Sequence, residues 1–149
     1  MLTEIERLTA IEEIKQLKAR YFRCMDTKDW PGLQEVFSPD AEFDMRGEAA
    51  DKSKAAYALI VGAPNIMPFI RNAVLDLVTV HHGHMPEIEI TSPTTAKGIW
   101  AMEDVLRWPA GAAVKTLQGY GHYHETYRKT DDGWRIQSSR LSRLHVDIT

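Results

Sequence analysis

Residues 77–90 read LVTVHHGHMPEIEI, and the fold class turns on what this stretch is. Before it the chain has helical spacing; from it onward the residues are β-branched and aromatic. Three histidines, His81, His82 and His84, fall within four positions of a chain that holds six in all. The segments AKGIWAMEDVLRW, VKTLQGYGHYHETYRK and WRIQSSRLSRLHVDI continue the same texture, separated by the turn sequences TSPT, PAGA and TDDG. Helical segments followed by hairpin-linked strands predict an α+β fold with an antiparallel sheet.

Toward the N-terminus, Leu2, Ile5, Leu8, Ile11, Ile14, Leu17 and Tyr21 recur at spacings of three and four. That predicts an amphipathic helix over residues 2–25, with Glu4, Glu6, Glu12, Glu13, Lys15 and Lys18 on its wet side. A short second helix is predicted from Pro31 to Phe37, with Asp29 or Trp30 near its start and Pro31 in its first turn. The run AEFDM (41–45) alternates as a short strand. From Lys52 to Ala73, helix formers interrupted by Gly62-Ala63-Pro64 suggest two helices broken at that turn.

With 149 residues, the chain is read as one domain spanning 1–149. A chain of this length buries roughly 70% of its unfolded surface, enough to hold an apolar pocket without disulfides. Its 44% hydrophobic and 26% charged residues are ordinary for a globular protein, and a net charge of -3, with no Lys/Arg run, argues against a nucleic-acid partner. The single cysteine, Cys24, excludes an intrachain disulfide and a cysteine zinc cage. The segment MLTEIERLTA lacks a signal-peptide core, and no apolar run approaches the ~20 residues of a membrane span. A cytoplasmic protein with no membrane partner is the expectation.

On a regular strand His82 and His84 share one face and His81 takes the other. Two imidazoles at i, i+2 supply two ligands where a metal needs three or more, and Glu87 and Glu89 fall on the opposite face from them. No metal is therefore expected. The sharper reading makes one histidine a general base, its tautomer fixed by a carboxylate. Asp26 is the best such carboxylate. It sits near the C-terminal end of the first helix, where the helix dipole disfavours it; the alternative is that it caps the following turn. In GYGHYHETY, one face presents Gly121, Tyr123, Glu125 and Tyr127. Tyr123 is read either as a hydrogen-bond donor to a ligand or as a core tyrosine. Gly119 and Gly121 point to strong bending or close backbone approach. Asp104 is either a pocket carboxylate or the wet partner of Arg107, and Arg140 and Arg143 either receive an anionic group or face solvent. Met25, Met45, Met67, Met85 and Met102, together with tryptophans such as Trp100, are candidates for an adaptable apolar wall.

Taken together, the element order and the segments ARYFRCMDTKDWPGLQEVFSPDAEFD, TVHHGHMPEIEI and GHYHETYRKTDDGWRI resemble the SnoaL-like branch of the nuclear transport factor 2-like superfamily, over about residues 5–145. Within it the chain is similar to scytalone dehydratase, bile-acid 7α-dehydratase and hexachlorocyclohexane dehydrochlorinase. The resemblance implies a cone-like α+β barrel, a strongly curved antiparallel sheet wrapped around the N-terminal helices and one deep pocket. It also implies a base unit of Asp26 and His81, a pocket tyrosine at Tyr21, a second pocket carboxylate at Asp104 and a substrate-facing arginine at Arg140. Two tyrosines that activate water in scytalone dehydratase are replaced here by Met25 and Met45, which argues against a scytalone substrate.

The expected function is a cofactor-independent lyase or isomerase that removes a proton from a small apolar, cyclic substrate. His81 and Asp26 would form the base, Tyr21 or Tyr123 would donate a hydrogen bond to a carbonyl or leaving hydroxyl, and Asp104, if protonated, would act as the acid. Tyr123, Arg140, Met25, Met45, His82 and Trp100 would line the substrate site. The alternatives are a non-catalytic binding or assembly module, and an epoxide-hydrolase-like site built on Asp26, Arg140 and Asp104. The resemblance further implies a homodimer or homotrimer. One point is left open by alternation. Regular spacing puts His81 with Glu87 and Glu89, and His82 with Ile88 and Ile90, unless a bulge at Gly83 to Pro86 shifts the phase.

Overall fold

The computed structural model describes residues 1–46 and 59–149. The elements run α1 (Glu4–Thr27), α2 (Trp30–Val36), β1 (Phe37–Asp44), β2 (Leu59–Val61), α3 (Ala63–Val74), β3 (Val78–Ser92), β4 (Thr95–Arg107), β5 (Thr116–Thr130) and β6 (Gly133–Ile148).

Helix α1 begins at a capping box in which Thr3 Oγ1 accepts the Glu6 N–H at 3.2 Å and Glu6 accepts the Thr3 N–H at 2.8 Å. It ends at Lys28, whose left-handed φ of 62° reverses the chain. The buried side is Ala10, Ile14, Leu17, Lys18, Tyr21, Cys24 and Met25, while Ile5 and Leu8 are exposed. The reason is helical phase. Residues three apart advance about 300°, so a sustained spacing of three drifts around the cylinder. Ile14 and Tyr21 set the inner face, Lys18 lies between them, and Ile5 and Leu8 have rotated to the far side. The expectation of a wet Lys18 is corrected: its side chain is 0% exposed.

Asp29 caps α2, its carboxylate accepting the Gly32 N–H at 3.0 Å, with Pro31 in the first turn. In place of the helix expected before Gly62, Leu59–Val61 pair antiparallel with Glu42–Asp44 as β2. The remainder of that expected helix falls on residues 52–58, outside the described residues. Gly62, at φ 92°, makes the turn into α3, which the Pro64 signal anticipates.

The strands form one sheet in the order β2-β1-β6-β5-β4-β3, strongly curved and open at both edges. Four of its pairings are antiparallel, but β1 runs parallel to β6, so the sheet is mixed rather than wholly antiparallel. Strands β1 and β6 meet only across the length of the chain, and such a pairing leaves no hairpin turn for a sequence to display. Helix α1 lies against the inner face, contacting β3 and β6, and α3 packs on β1. The buried core is continuous from α1 through the inner sides of all strands except β2.

Two irregularities decide which side chains face inward. Gly83 pairs with Met102 and Pro86 with Trp100, so three steps along β3 match two along β4. The extra residue shifts the phase: Thr79, His81 and Gly83 face inward before it, Pro86, Ile88 and Ile90 after it. On β6, Ile136 pairs with Tyr127 and Ser138 with Thr126. That second bulge moves the inward set from Trp134 and Ile136 to Ser139, Leu141 and Arg143.

Candidate active site

Asp26 occupies the last turn of α1, where dipole and carboxylate oppose one another. It does not cap a turn. Three donors from β3 hold it: His81 Nδ1 at 2.7 Å, the His81 backbone N–H at 2.8 Å and Thr79 Oγ1 at 2.9 Å. Thr79 in turn accepts from Lys28 Nζ at 3.0 Å. The Thr-x-His spacing thus has a physical meaning, because residues i and i+2 on a strand reach the same carboxylate. Burial alone would raise the Asp26 carboxyl, but the hydrogen bonds and charge of His81, with Thr79, outweigh it and hold it below the ordinary carboxylate value. An ionised Asp26 accepts from Nδ1–H, which leaves the Nε2 lone pair of a neutral His81 as the basic site.

Two further contacts orient the imidazole. The Phe22 ring stacks on it at 6.3 Å and an interplanar angle of 17°. Gly83 makes this possible, since a Cβ there would lie 2.6 Å from Phe22 Cε2. On the other side Nε2 is 3.9 Å from Asp104 Oδ2. Arg143 grips Asp104 as a fork, Nη1 to Oδ1 at 2.6 Å and Nη2 to Oδ2 at 2.9 Å, the geometry of an ionised carboxylate with a guanidinium. Gly119 gives this pair its room, because a Cβ there would fall 2.1 Å from Arg143 Nη1 and 2.5 Å from Asp104 Oδ1.

His81, Asp104 and Arg143 open onto a cavity of about 490 Å³ between the helices and the inner face of the sheet, within the range of small-molecule sites. Its walls are mainly apolar, with Met25, Met45, Phe43, Phe69, Trp108 and Leu141 among them. Tyr21 and Tyr123 also line it, ring centroids 6.0 Å apart and edge to face. Asp26 stands behind His81 rather than in the cavity wall.

Three of the expected site residues are placed elsewhere. His82 points outward, its side chain 60% exposed and 3.5 Å from Glu103, because the bulge leaves His81 on the inner side. Arg140 is exposed on the outer side of β6, owing to the bulge after Ile136. It lines a separate, more open groove of about 770 Å³ with Glu42, Asp44, Lys97 and His124, and neither His81 nor Asp26 reaches that groove. The expected grouping of Asp26, Arg140 and Asp104 is therefore not assembled. Trp100 faces inward but beneath the cavity, where its Nε1 donates to the Tyr127 hydroxyl at 2.8 Å. Arg143 is the arginine that reaches the site, and the phase of an unbulged strand hides it. Among the described residues, no three His, Cys, Asp or Glu side chains converge to hold a metal ion, and no helix is long and apolar enough to cross a membrane.

Residues 6–140 match the SnoaL-like domain family. The chain belongs to that family. Over 135 residues it is 28% identical to the "Probable cyclase FGR4" of Gibberella zeae, covering 89% of each chain. The fold is shared with a "Putative Scytalone Dehydratase" from Novosphingobium aromaticivorans, at a TM-score of 0.83 and 18% identity, covering 97% of this chain and 91% of that one. It is shared equally with the hexachlorocyclohexane dehydrochlorinase LinA-type3 from Novosphingobium barchaimii, at a TM-score of 0.81 and 16% identity, covering 99% and 94%. This SnoaL-like chain thus has the nuclear transport factor 2-like fold.

Proposed function

We propose that the protein is a cofactor-independent lyase or isomerase that abstracts a proton from a small, apolar, cyclic substrate bound in the cavity. The observation that carries this reading is the His81 imidazole, anchored to Asp26 through Nδ1 at 2.7 Å, with Nε2 on the side of Asp104 at 3.9 Å and the ring in the wall of a mainly apolar cavity. A neutral imidazole so held is a base suited to neutral pH. The dehydratase, dehydrochlorinase and cyclase names among its relatives support the same class of chemistry.

In the proposed step, His81 Nε2 takes a proton from a carbon beside a carbonyl or other acidifying group. The electron pair of the broken C–H bond forms a double bond and expels a β-leaving group. In an isomerisation the proton is instead returned at another carbon. Asp26 stabilises the imidazolium through Nδ1–H, and Asp104, fixed by Arg143, faces the newly protonated Nε2. Both oxygens of Asp104 already accept from a guanidinium, so it serves as an electrostatic partner and not as the acid. Tyr21 and Tyr123 would donate hydrogen bonds to the substrate carbonyl or leaving hydroxyl.

A screen of hydroxylated steroid-like and aromatic polyketide compounds, followed by mass spectrometry for loss of water, tests this reading. Wild-type turnover should fall about 10²–10⁴-fold in both His81→Ala and Asp26→Asn. Turnover that survives both changes ends the mechanism.

A further inference from the structure

Behind the cavity lies a buried ion pair that the proposed proton transfer does not use. Lys18 of α1 and Glu125 of β5 meet Nζ to Oε1 at 2.5 Å, both side chains 0% exposed. Glu125 also accepts from Ser139 Oγ at 2.9 Å and from the Tyr127 hydroxyl at 2.7 Å, and Tyr127 accepts from Trp100 Nε1 at 2.8 Å. Burying two charges is costly even when they pair, and apolar residues of like volume often replace such a pair without loss of stability. What the ammonium touches besides Glu125 suggests why a pair is used. Lys18 Nζ is 3.6 Å from the ring centroid of Tyr123 and 4.0 Å from that of Tyr21, with Phe22 at 5.0 Å. All three are within cation–π reach. Tyr21 and Tyr123 are the two phenols of the cavity wall, while Phe22 carries the face of His81.

We propose that Lys18 is a positioning residue. Held by Glu125, its ammonium clamps the ring faces of Tyr21 and Tyr123 at the inner end of the cavity. It also strengthens their hydroxyls as hydrogen-bond donors to an oxygen-bearing ligand, a ring ketone or its enolate. A cation against a phenol face withdraws electron density and favours the phenolate, so the same contact makes the neutral hydroxyl a better donor. Lys18 touches no ligand itself, and its part is played through the two tyrosines. The inference rests on the proposed function for its ligand class and on the geometry alone for the clamp. Burial lowers the Lys18 ammonium from its ordinary value, and the charge and hydrogen bond of Glu125 oppose that shift. Lys18 faces Glu125 from β5 and the rings of Tyr21, Phe22 and Tyr123, and Glu125 in turn takes Ser139 from β6 and Tyr127 from β5 as donors.

The test is carbon-13 NMR on the whole protein, labelled at lysine Cε and tyrosine Cζ. Wild type is compared with Lys18→Arg and with the charge-free double variant Lys18→Met/Glu125→Gln, and Tyr21→Phe and Tyr123→Phe assign the signals. At neutral pH the Lys18 Cε signal should be that of an ammonium. Tyr21 and Tyr123 should ionise at lower pH in wild type and Lys18→Arg than in the double variant, by about one pH unit, a tenfold change in ionisation constant. Equal ionisation in all three proteins, or a neutral Lys18 at pH 7, overturns the proposal. Should the double variant not fold, wild type still decides. The Lys18 and tyrosine signals must each register the other's titration, and independent single-step curves overturn the clamp. An unmoved tyrosine titration alongside His81-dependent turnover removes this inference alone. A shifted titration with no turnover in the screen supports the clamp and removes the lyase.

Discussion

Two glycines that look alike in sequence do different work. A Cβ at Gly119 meets the far ends of the Arg143 and Asp104 side chains, which can swing away, whereas one at Gly121 lands 2.0 Å from the Ser142 carbonyl oxygen. Gly119→Ala should therefore lower the thermal midpoint less than Gly121→Ala does and impair turnover by breaking the Asp104–Arg143 fork. Gly121→Ala should lower the midpoint by several degrees, the effect of roughly 1–3 kcal/mol of strain. Comparable midpoints for the two variants would show the backbone approach to be unimportant. Asp26 gives a prediction with a sign. Its folded carboxyl titrates below the unfolded value, so its contribution to stability is present above the ordinary carboxylate range and is lost as pH falls through the lowered folded value. Urea unfolding of wild type should show an acid decline that is shallower in Asp26→Asn. Equal slopes in the two proteins would contradict the His81–Asp26 contact. Asp26 was legible from the residues, since a carboxylate at a helix C-terminus needs a partner, whereas the choice of His81 over His82 and His84 came from the resemblance, because alternation without the bulge left it open.

At the scale of elements, phase was harder to read than type. The helices α1 and α2, the three hairpin turns and the helix after Gly62 all carry local signals that the structure follows. Side-chain direction beyond a bulge carries none, because a bulge is set by cross-strand packing. Lys18 went unread for a related reason: repeated spacings of three suggest a stripe that a period of 3.6 does not keep. The β3 bulge can be tested directly. Deleting Met85, which is 90% exposed, removes the extra residue, and plain alternation then carries Thr79, His81 and Gly83 on the same face as Pro86, Ile88 and Ile90. That variant should keep a cooperative thermal transition, and Met85→Ser should stay within about 0.5 kcal/mol of wild type. A deletion variant that no longer melts cooperatively would mean that the bulge does more than set the phase of His81.

For the whole molecule, an open curved sheet with two helices on its inner face leaves a cavity that no single element contains. The polar groups of that cavity come from α1, β3, β4, β5 and β6, so the fold has to be complete before the site exists. The buried pair of Lys18 and Glu125 ties α1 to β5 across this interior. Removing Lys18 alone strands a buried carboxylate, and Lys18→Met should cost about 3–5 kcal/mol in chemical denaturation. The double variant Lys18→Met/Glu125→Gln should recover part of that loss. A single variant no less stable than the double would show the two charges to be uncoupled. The parallel pairing of β1 with β6 also belongs to this scale; it is long-range, has no turn of its own, and was not to be read from the residues.

Proton abstraction by His81 in the cavity is the central step proposed for this protein. Its most direct test is to incubate the compounds of the screen with the protein in D₂O and follow deuterium at their acidic carbons by NMR. Wild type should incorporate deuterium, or eliminate, at a rate that His81→Ala abolishes while its circular dichroism and melting remain those of a folded protein. Undiminished exchange or elimination in a folded His81→Ala protein would contradict the account.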